Sequence, residues 1–275
     1  MLDTIRFEIR ASYAFVERNI NLFKRYMGWE VVWFAYSLAT TLSVAYIGKA
    51  MEYIGNARVD TNYVVLYLII GTLIWRFLAF LFHDISEMVQ WERWEGTIEY
   101  TLMAPIHRIT HMLGQTMFAL IHGTVFTLAI AGVTVLFFDL SLERANLLAA
   151  FLVLLAGSLS FIGMGITASV LPLLFPERGV QMTNVAEAVL LLFSGIYYPI
   201  QVLPRWMQVL ARLSPATYVL SAMRAALLEG VDTATLLPTV EGLLGAGIAL
   251  IAVGVWAFRQ AELYAKRTGK LKRNG

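Results

Sequence analysis

Residues able to do acid–base, metal or nucleophilic chemistry are few in this chain, and their spacing suits none of it. The four histidines are His83, His107, His111 and His122, with no H-E-x-x-H run and no carboxylate pair at ligand spacing. His107 and His111 are one helical turn apart, but the junction with Pro105 is polar, so solvated surface histidines are expected. Cysteine is absent, which excludes disulfides, thiolate metal sites and cysteine nucleophiles. No G-x-S-x-G elbow occurs. The phosphate loop G-x-x-x-x-G-K-[ST] fails at both Gly-Lys pairs: Gly48-Lys49 is followed by Ala50, and Gly269-Lys270 by Leu271. The chain cannot bind and hydrolyse ATP by that route, so any nucleotide chemistry must come from another polypeptide.

The framework around these residues is apolar. Of 275 residues, 59% are hydrophobic and only 15% charged, with a mean hydropathy of +0.67. Soluble domains carry roughly a quarter charged residues, so an ordinary water-soluble enzyme and a disordered chain are both excluded. With a net charge of +2, no strong pull toward nucleic acid is expected. The apolar residues fall in blocks of about 20, the length that crosses a hydrocarbon core of roughly 30 Å. The blocks are continuous rather than alternating, which favours helices over barrel strands. The reading is an all-α membrane protein with six spans, at about Trp29–Ala50, Tyr63–Phe82, His111–Phe138, Leu147–Leu171, Met182–Ile200 and Leu236–Phe258. Residues 1–28 lack the short apolar region of a signal peptide, so the chain is expected to insert through its own spans.

Six spans put both termini on one side. That side collects Arg6, Arg10, Arg18, Lys24, Arg25, Arg93, Arg108, Arg178 and the basic tail, against Lys49, Arg58, Arg144, Arg205, Arg212 and Arg224 opposite. Excess Lys and Arg marks the cytoplasmic face, so both termini are expected in the cytoplasm. Within the spans, Arg76 and Glu187 each lie one to two turns from the cytoplasmic end; they either pair, closing the inner end of a pathway, or snorkel to the interface. The midplane is otherwise Leu, Val, Ile, Phe, Gly and Ser, which suits an amphiphile better than a bare ion. Ala156, Ser160, Gly165 and Ser169 in span four, with Gly242, Gly245 and Gly247 in span six, permit close helix approach.

Three segments are not simple spans. In residues 1–28, Leu2, Ile5, Ile9, Tyr13, Val16, Ile20, Phe23 and Met27 recur every three or four positions opposite charged residues. That is an amphipathic helix for the headgroup layer. Between spans two and three, a helix at about 91–104 would put Trp91, Trp94, Ile98 and Leu102 on one face and Glu92, Glu95 and Glu99 on another, ending at Pro105. It reads either as a docking knob for a soluble partner or as a plain solvated loop helix. At about 201–230, two short helices begin near Pro204 and Pro215; Ser214 is placed to cap the second and Gly230 to end it. They are too short to span and read either as a re-entrant hairpin dipping into the outer leaflet or as a plain extracellular loop, with Tyr197-Tyr198-Pro199 immediately upstream fitting an interfacial aromatic belt.

In combination these segments resemble the permease subunit of type-2 ABC exporters. The residues that carry the likeness are Glu92-Arg93-Trp94-Glu95-Gly96-Thr97-Ile98-Glu99 after span two and the late Tyr-Tyr-Pro, Leu-Pro and Ser-Pro stretch. The resemblance implies a pair of permease chains, as a homodimer or with a close paralogue. It also implies two copies of a cytoplasmic ABC ATPase that bind the ATP and Mg²⁺, leaving this chain without catalytic residues, metal or cofactor. Trp91 to Glu99 and Leu102 would form the ATPase-coupling segment, and Tyr197, Tyr198, Pro199, Pro204, Trp206, Pro215 and Tyr218 the outer gate. The spans would occupy 29–260 of a multi-pass cell (inner) membrane protein in contact with lipid, and 261–275 would be a basic cytoplasmic tail. The function implied is export of a hydrophobic or amphipathic compound, drug or lipid-like, as in multidrug efflux. Export of a polysaccharide, glycolipid or teichoic-acid-type polymer is the first alternative, and an ATP-independent secondary transporter the second.

Overall fold

The computed structural model describes residues 2–54, 60–138 and 144–271, with side chains described from residue 6 and not for 52–54. Leu2 and Ile5 of the expected apolar face, and Arg58, Lys272 and Arg273 of the charge count, lie outside the described side chains. Among the described residues every regular element is helical: α1 (Leu2–Arg25), α2 (Met27–Ile54), α3 (Thr61–Glu95), α4 (Ile98–Met103), α5 (Arg108–Val135), α6 (Leu147–Ala168), α7 (Val170–Leu174), α8 (Gly179–Phe193), a 3₁₀ turn at Ile200–Val202, α9 (Arg205–Leu213), α10 (Pro215–Leu227) and α11 (Thr233–Arg267).

Five helices are long and apolar enough to cross a membrane: α2, α3, α5, α6 continued through α7, and α11. The stretch expected as span five is the 15-residue α8, only about 22 Å long. Helix α3, at 35 residues, extends about 50 Å and reaches well past the hydrocarbon thickness. It is the hub, and α2, α5, α6, α8 and α10 all pack on it. Its inward side chains include Leu78, Leu81 and Ile85, none of them exposed, and Trp75 meets Phe161 of α6 edge-on at 5.9 Å. Helix α2 uses small residues to approach α3: Ser37, Thr41, Ala45 and Gly48 form one stripe, while Trp29, Val32, Trp33 and Tyr36 on its other sides stay exposed. Thr41 returns its hydroxyl to the Ser37 carbonyl at 2.8 Å, so the stripe holds no unsatisfied hydroxyl there.

The most extensive pairing is α6 with α11. A side chain at Gly163 would meet the backbone of Leu250 and Ile251 at 2.5 Å, and Gly254 lies against the Gly163 carbonyl. Gly247 does approach Leu159 as expected, but Gly242 and Gly245 face open space, and Gly165 serves α3 instead. In lipid such backbone contact replaces the hydrophobic drive that holds soluble helices together. Gly163→Val should therefore cost about 2–3 kcal/mol through overpacking, while Gly245→Ala should stay within about 0.5 kcal/mol. Melting of the detergent-solubilised chain compares the two directly, and equal melts would mean that α6 and α11 do not meet at Gly163.

The amphipathic period of α1 has a use beyond a lipid surface. Val16 and Asn19 are buried against α5, where the missing side chain of Gly114 makes room for Phe15, and Ser12 donates to the Thr110 carbonyl at 3.1 Å. Phe7, Ile9 and Tyr13 remain exposed on the other side. The helix is thus anchored by one strip and open to its surroundings on another. We call the end where α1 packs on α5, and where the last turns of α11 lie, proximal, and the end carrying α9 and α10 distal.

Candidate functional site

Two local signals shape the proximal end. Gly96, in the left-handed region at φ 75°, closes α3 by turning its own N–H and that of Thr97 back to the Arg93 and Glu92 carbonyls. Pro105 holds Ala104 extended and stops α4 after six residues. The helix expected at about 91–104 is therefore two: the last turns of α3, and α4 set off by the glycine. That break separates the three glutamates. Glu95 is exposed and Glu99 partly so, but Glu92 is 2% exposed and points inward.

Glu92 Oε1 gathers Arg18 of α1 at 2.6 Å, His111 at 3.0 Å and Gln115 at 3.1 Å, and Gln115 in turn accepts from Asn19 at 2.5 Å. Glu8 of α1 accepts from the Thr110 hydroxyl and from the His107 N–H at 3.4 Å. The end of α3 is thereby wired to α1 and α5. His111 is fully buried in this network, not solvated as the sequence suggested, because α1 covers it. Trp91 packs on Tyr26 at 5.1 Å and on Trp94 at 5.7 Å, and Trp94 donates to the Pro176 carbonyl in the α7–α8 turn. Arg93 leaves the solvent to bind the carbonyls of Leu271 and Lys270 at 2.5 and 2.8 Å.

Helix α4 faces two ways. Ile98 and Leu102 are 1% exposed, whereas Tyr100 is 74% and Met103 68% exposed. With Trp94, Glu95 and Glu99 these residues make an aromatic and acidic knob. Beside it, Glu95 shares an open groove of about 460 Å³ with Glu17, Arg18 and Arg25 of α1. The knob is anchored by the same short helix that presents it.

A second polar group lies deeper, and the sequence reading missed most of it. His122 sits 2.7 Å from Asp84 and 3.4 Å from Glu30, boxed by Phe23, Phe80, Phe118 and Phe126. His83 bridges toward Glu87 at 3.5 Å and Glu187 at 3.7 Å. Arg76 and Glu187 are near enough for their charges to interact, but among the described residues they form no ion pair, and Glu187 turns to His83 instead. The one available signal was the Phe118–His122–Phe126 spacing, which puts the imidazole on an aromatic helix face. No cluster among the described residues has the arrangement of a metal site.

At the distal end Tyr197, Pro199, Pro204, Trp206 and Tyr218 are exposed, while Tyr198 and Pro215 are partly covered. Tyr198 and Tyr218 tie down local carbonyls, at Leu192 and Arg212, both at 2.8 Å. Ser214 occupies the N-cap position of α10, but its hydroxyl makes no capping bond and the Thr217 N–H turns to its carbonyl instead. Gly230 does end the segment, at φ 65°. Helix α10 is buried against α3, α6 and α11, and its Arg224, counted in the sequence only as an outer charge, is the clasp. The guanidinium donates to Gly195 at 2.9 Å and Ile196 at 2.5 Å, and lies 3.5 Å over the Tyr67 ring. Gly71 leaves the space for it.

These features define an all-helical membrane protein with an exposed aromatic and acidic knob at one end. The family model of the ABC-2 type transporter matches residues 13–228, from within α1 to just past α10, and the chain belongs to that family. Members are membrane subunits that associate with an ABC ATPase. No curated protein matches the chain.

Proposed function

We propose that this chain is the permease of an ATP-driven exporter that moves hydrophobic or amphipathic compounds, drug-like or lipid-like, out of the cell. In this reading α8 serves as the fifth of six crossings, and the proximal end and both termini lie in the cytoplasm, as the Lys and Arg distribution favours. Two permease chains pair, each holding one ATPase, and the α9–α10 hairpin with Tyr197 and Tyr198 acts as the outer gate. The observation that carries the proposal is the α4 knob, whose Tyr100 and Met103 are open to a partner while Ile98 and Leu102 are fastened inside. The apolar midplane supports the substrate class.

The test is ATPase activity of the reconstituted complex against a panel of amphipathic drugs, lipids and glycans. Stimulation by the first two supports the reading, and stimulation by glycans alone replaces it with polymer export. A second reading has one observation behind it: the His83, Asp84, Glu87, His122 and Glu187 group resembles a proton relay. Transport without ATPase in response to a pH gradient would establish it. For the knob itself, removing two exposed anchors should cost about 2–4 kcal/mol of association. Tyr100→Ala with Met103→Ala is therefore expected to weaken ATPase capture at least ~30-fold, with the permease melt unchanged. Undiminished capture would put the docking surface elsewhere.

A further inference from the structure

Helix α4 is a poor lever on its own. It has six residues, with a left-handed glycine before it and a proline after it, so a push on its exposed face would be spent in bending those joints. The structure supplies a brace from the far end of the chain. Helix α11 has 35 residues, so it passes well beyond the roughly 30 Å core, and its last turns reach α4. There Glu262, 4% exposed, receives a two-pronged contact from Arg108, at 2.9 and 2.8 Å, and Lys266 at 2.6 Å. Arg108 and Lys266 also both donate to the Leu102 carbonyl, at 2.5 and 3.3 Å, in the last turn of α4. After α11, Gly269 at φ 68° reverses the chain, the Lys270 N–H returns to the Ala265 carbonyl, and Arg93 holds the Lys270 and Leu271 carbonyls. Leu271 packs into the core. Helix α4 is therefore clipped to α11 at its last turn, and the end of α3 just before it is clipped to the residues that follow α11.

We propose that residues 262–271 form a latch that carries displacement of α4 into the α6–α11 pair, and that Arg93, Arg108 and Glu262 are its positioning residues. This rests on the exporter reading above. The pair moves as one body because its glycines bring the two backbones together at Gly163 and Gly254. Its distal end is joined to the outer segment, where Asn146 at the start of α6 donates to Val231 and Thr233 at the start of α11 at 3.1 and 3.0 Å, and its N–H binds the Ala226 carbonyl of α10. A stroke received at Tyr100 and Met103 thus has a continuous stiff route to α10. The route runs through α11 and the residues after it, beyond the matched 13–228 stretch, as well as through Arg93 and Arg108 inside it.

The test uses the full permease–ATPase complex in proteoliposomes, with ATPase capture, melting, ATP turnover and substrate moved per ATP all measured. Truncation after Thr268 removes the carbonyls that Arg93 holds but leaves α11 whole. The expected result is ATPase capture and turnover within twofold of the unmodified complex, a melting temperature lowered by only a few degrees because the freed Arg93 can turn to water, and substrate moved per ATP reduced about tenfold. Arg93→Ala should give the same loss, and the two changes together no more than either alone. Arg93→Lys, which cannot fork across two carbonyls, should fall between. A truncation that keeps the transport ratio within twofold overturns the latch, and one that abolishes ATPase capture makes the tail part of the docking surface instead. If the unmodified complex shows no substrate-stimulated ATPase, the exporter reading fails first, and the latch with it.

Discussion

Glu92→Lys should lower the melting temperature of the detergent-solubilised permease by on the order of 10 °C, while Glu95→Lys and Glu99→Lys leave it nearly unchanged. Sequence spacing treats the three carboxylates as equivalent, and burial separates them. Among the described residues Glu92 is the one anion in a largely buried network with Arg18, His111, Gln115 and Asn19. Removing one partner from such a site costs on the order of 3–5 kcal/mol, because the remaining charge is left uncompensated. Arg18 is 29% exposed on its side chain and can turn to water, which keeps the loss toward the lower figure. Surface changes at Glu95 and Glu99 are worth about 0.5 kcal/mol or less in stability; their effect should appear in ATPase capture. The three variants can be compared in one melting series. Equal melts would remove Glu92 from the α1–α3–α5 junction.

Arg224→Ala is expected to be comparably damaging at the opposite end. Its guanidinium is buried, its hydrogen bonds go to backbone carbonyls, and among the described residues no carboxylate pairs with it. Truncation strips two carbonyls of their donors at about 1–3 kcal/mol each and removes a cation–π contact over Tyr67. A total near 3–5 kcal/mol follows, and the damage is directional, because those carbonyls belong to the turn that carries Tyr197 and Tyr198. Amide hydrogen exchange should therefore rise from Ile196 through Leu203. Arg224→Lys keeps a charge but loses the fork, and should retain about half the stability. Unchanged exchange in that turn would show that Arg224 does not hold it.

Legibility differed from element to element. The apolar runs of α2, α3, α5, α6 and α11 were readable because a bilayer imposes a length that no local detail can offset. The period of α1 was readable too, although it was assigned only to lipid, since a one-dimensional pattern shows that a helix has an apolar strip and not what covers it. His111 reads as solvated in the sequence and His122 has no evident partner for the same reason: their partners Glu92 and Asp84 lie on α3, and only helix packing brings them near. Gly96 is visible in the sequence, but a glycine can sit within a helix or end it, and the left-handed turn that ends α3 there shows only in the structure. The glycines tell the same story. Gly242, Gly245 and Gly247 look alike in sequence, and only Gly247 touches a neighbour.

Hydrophobic length and residue type alone made this chain a helical membrane protein with no phosphate-loop motif, because burying the backbone in lipid and cradling a phosphate each demand a pattern that is local. Which glutamate is structural and which is offered to a partner, where Arg224 finds its acceptors, and how the end of α11 comes to grip α4 were decided by packing. Those contacts join residues separated by up to 178 positions in the chain, and no spacing rule reaches that far.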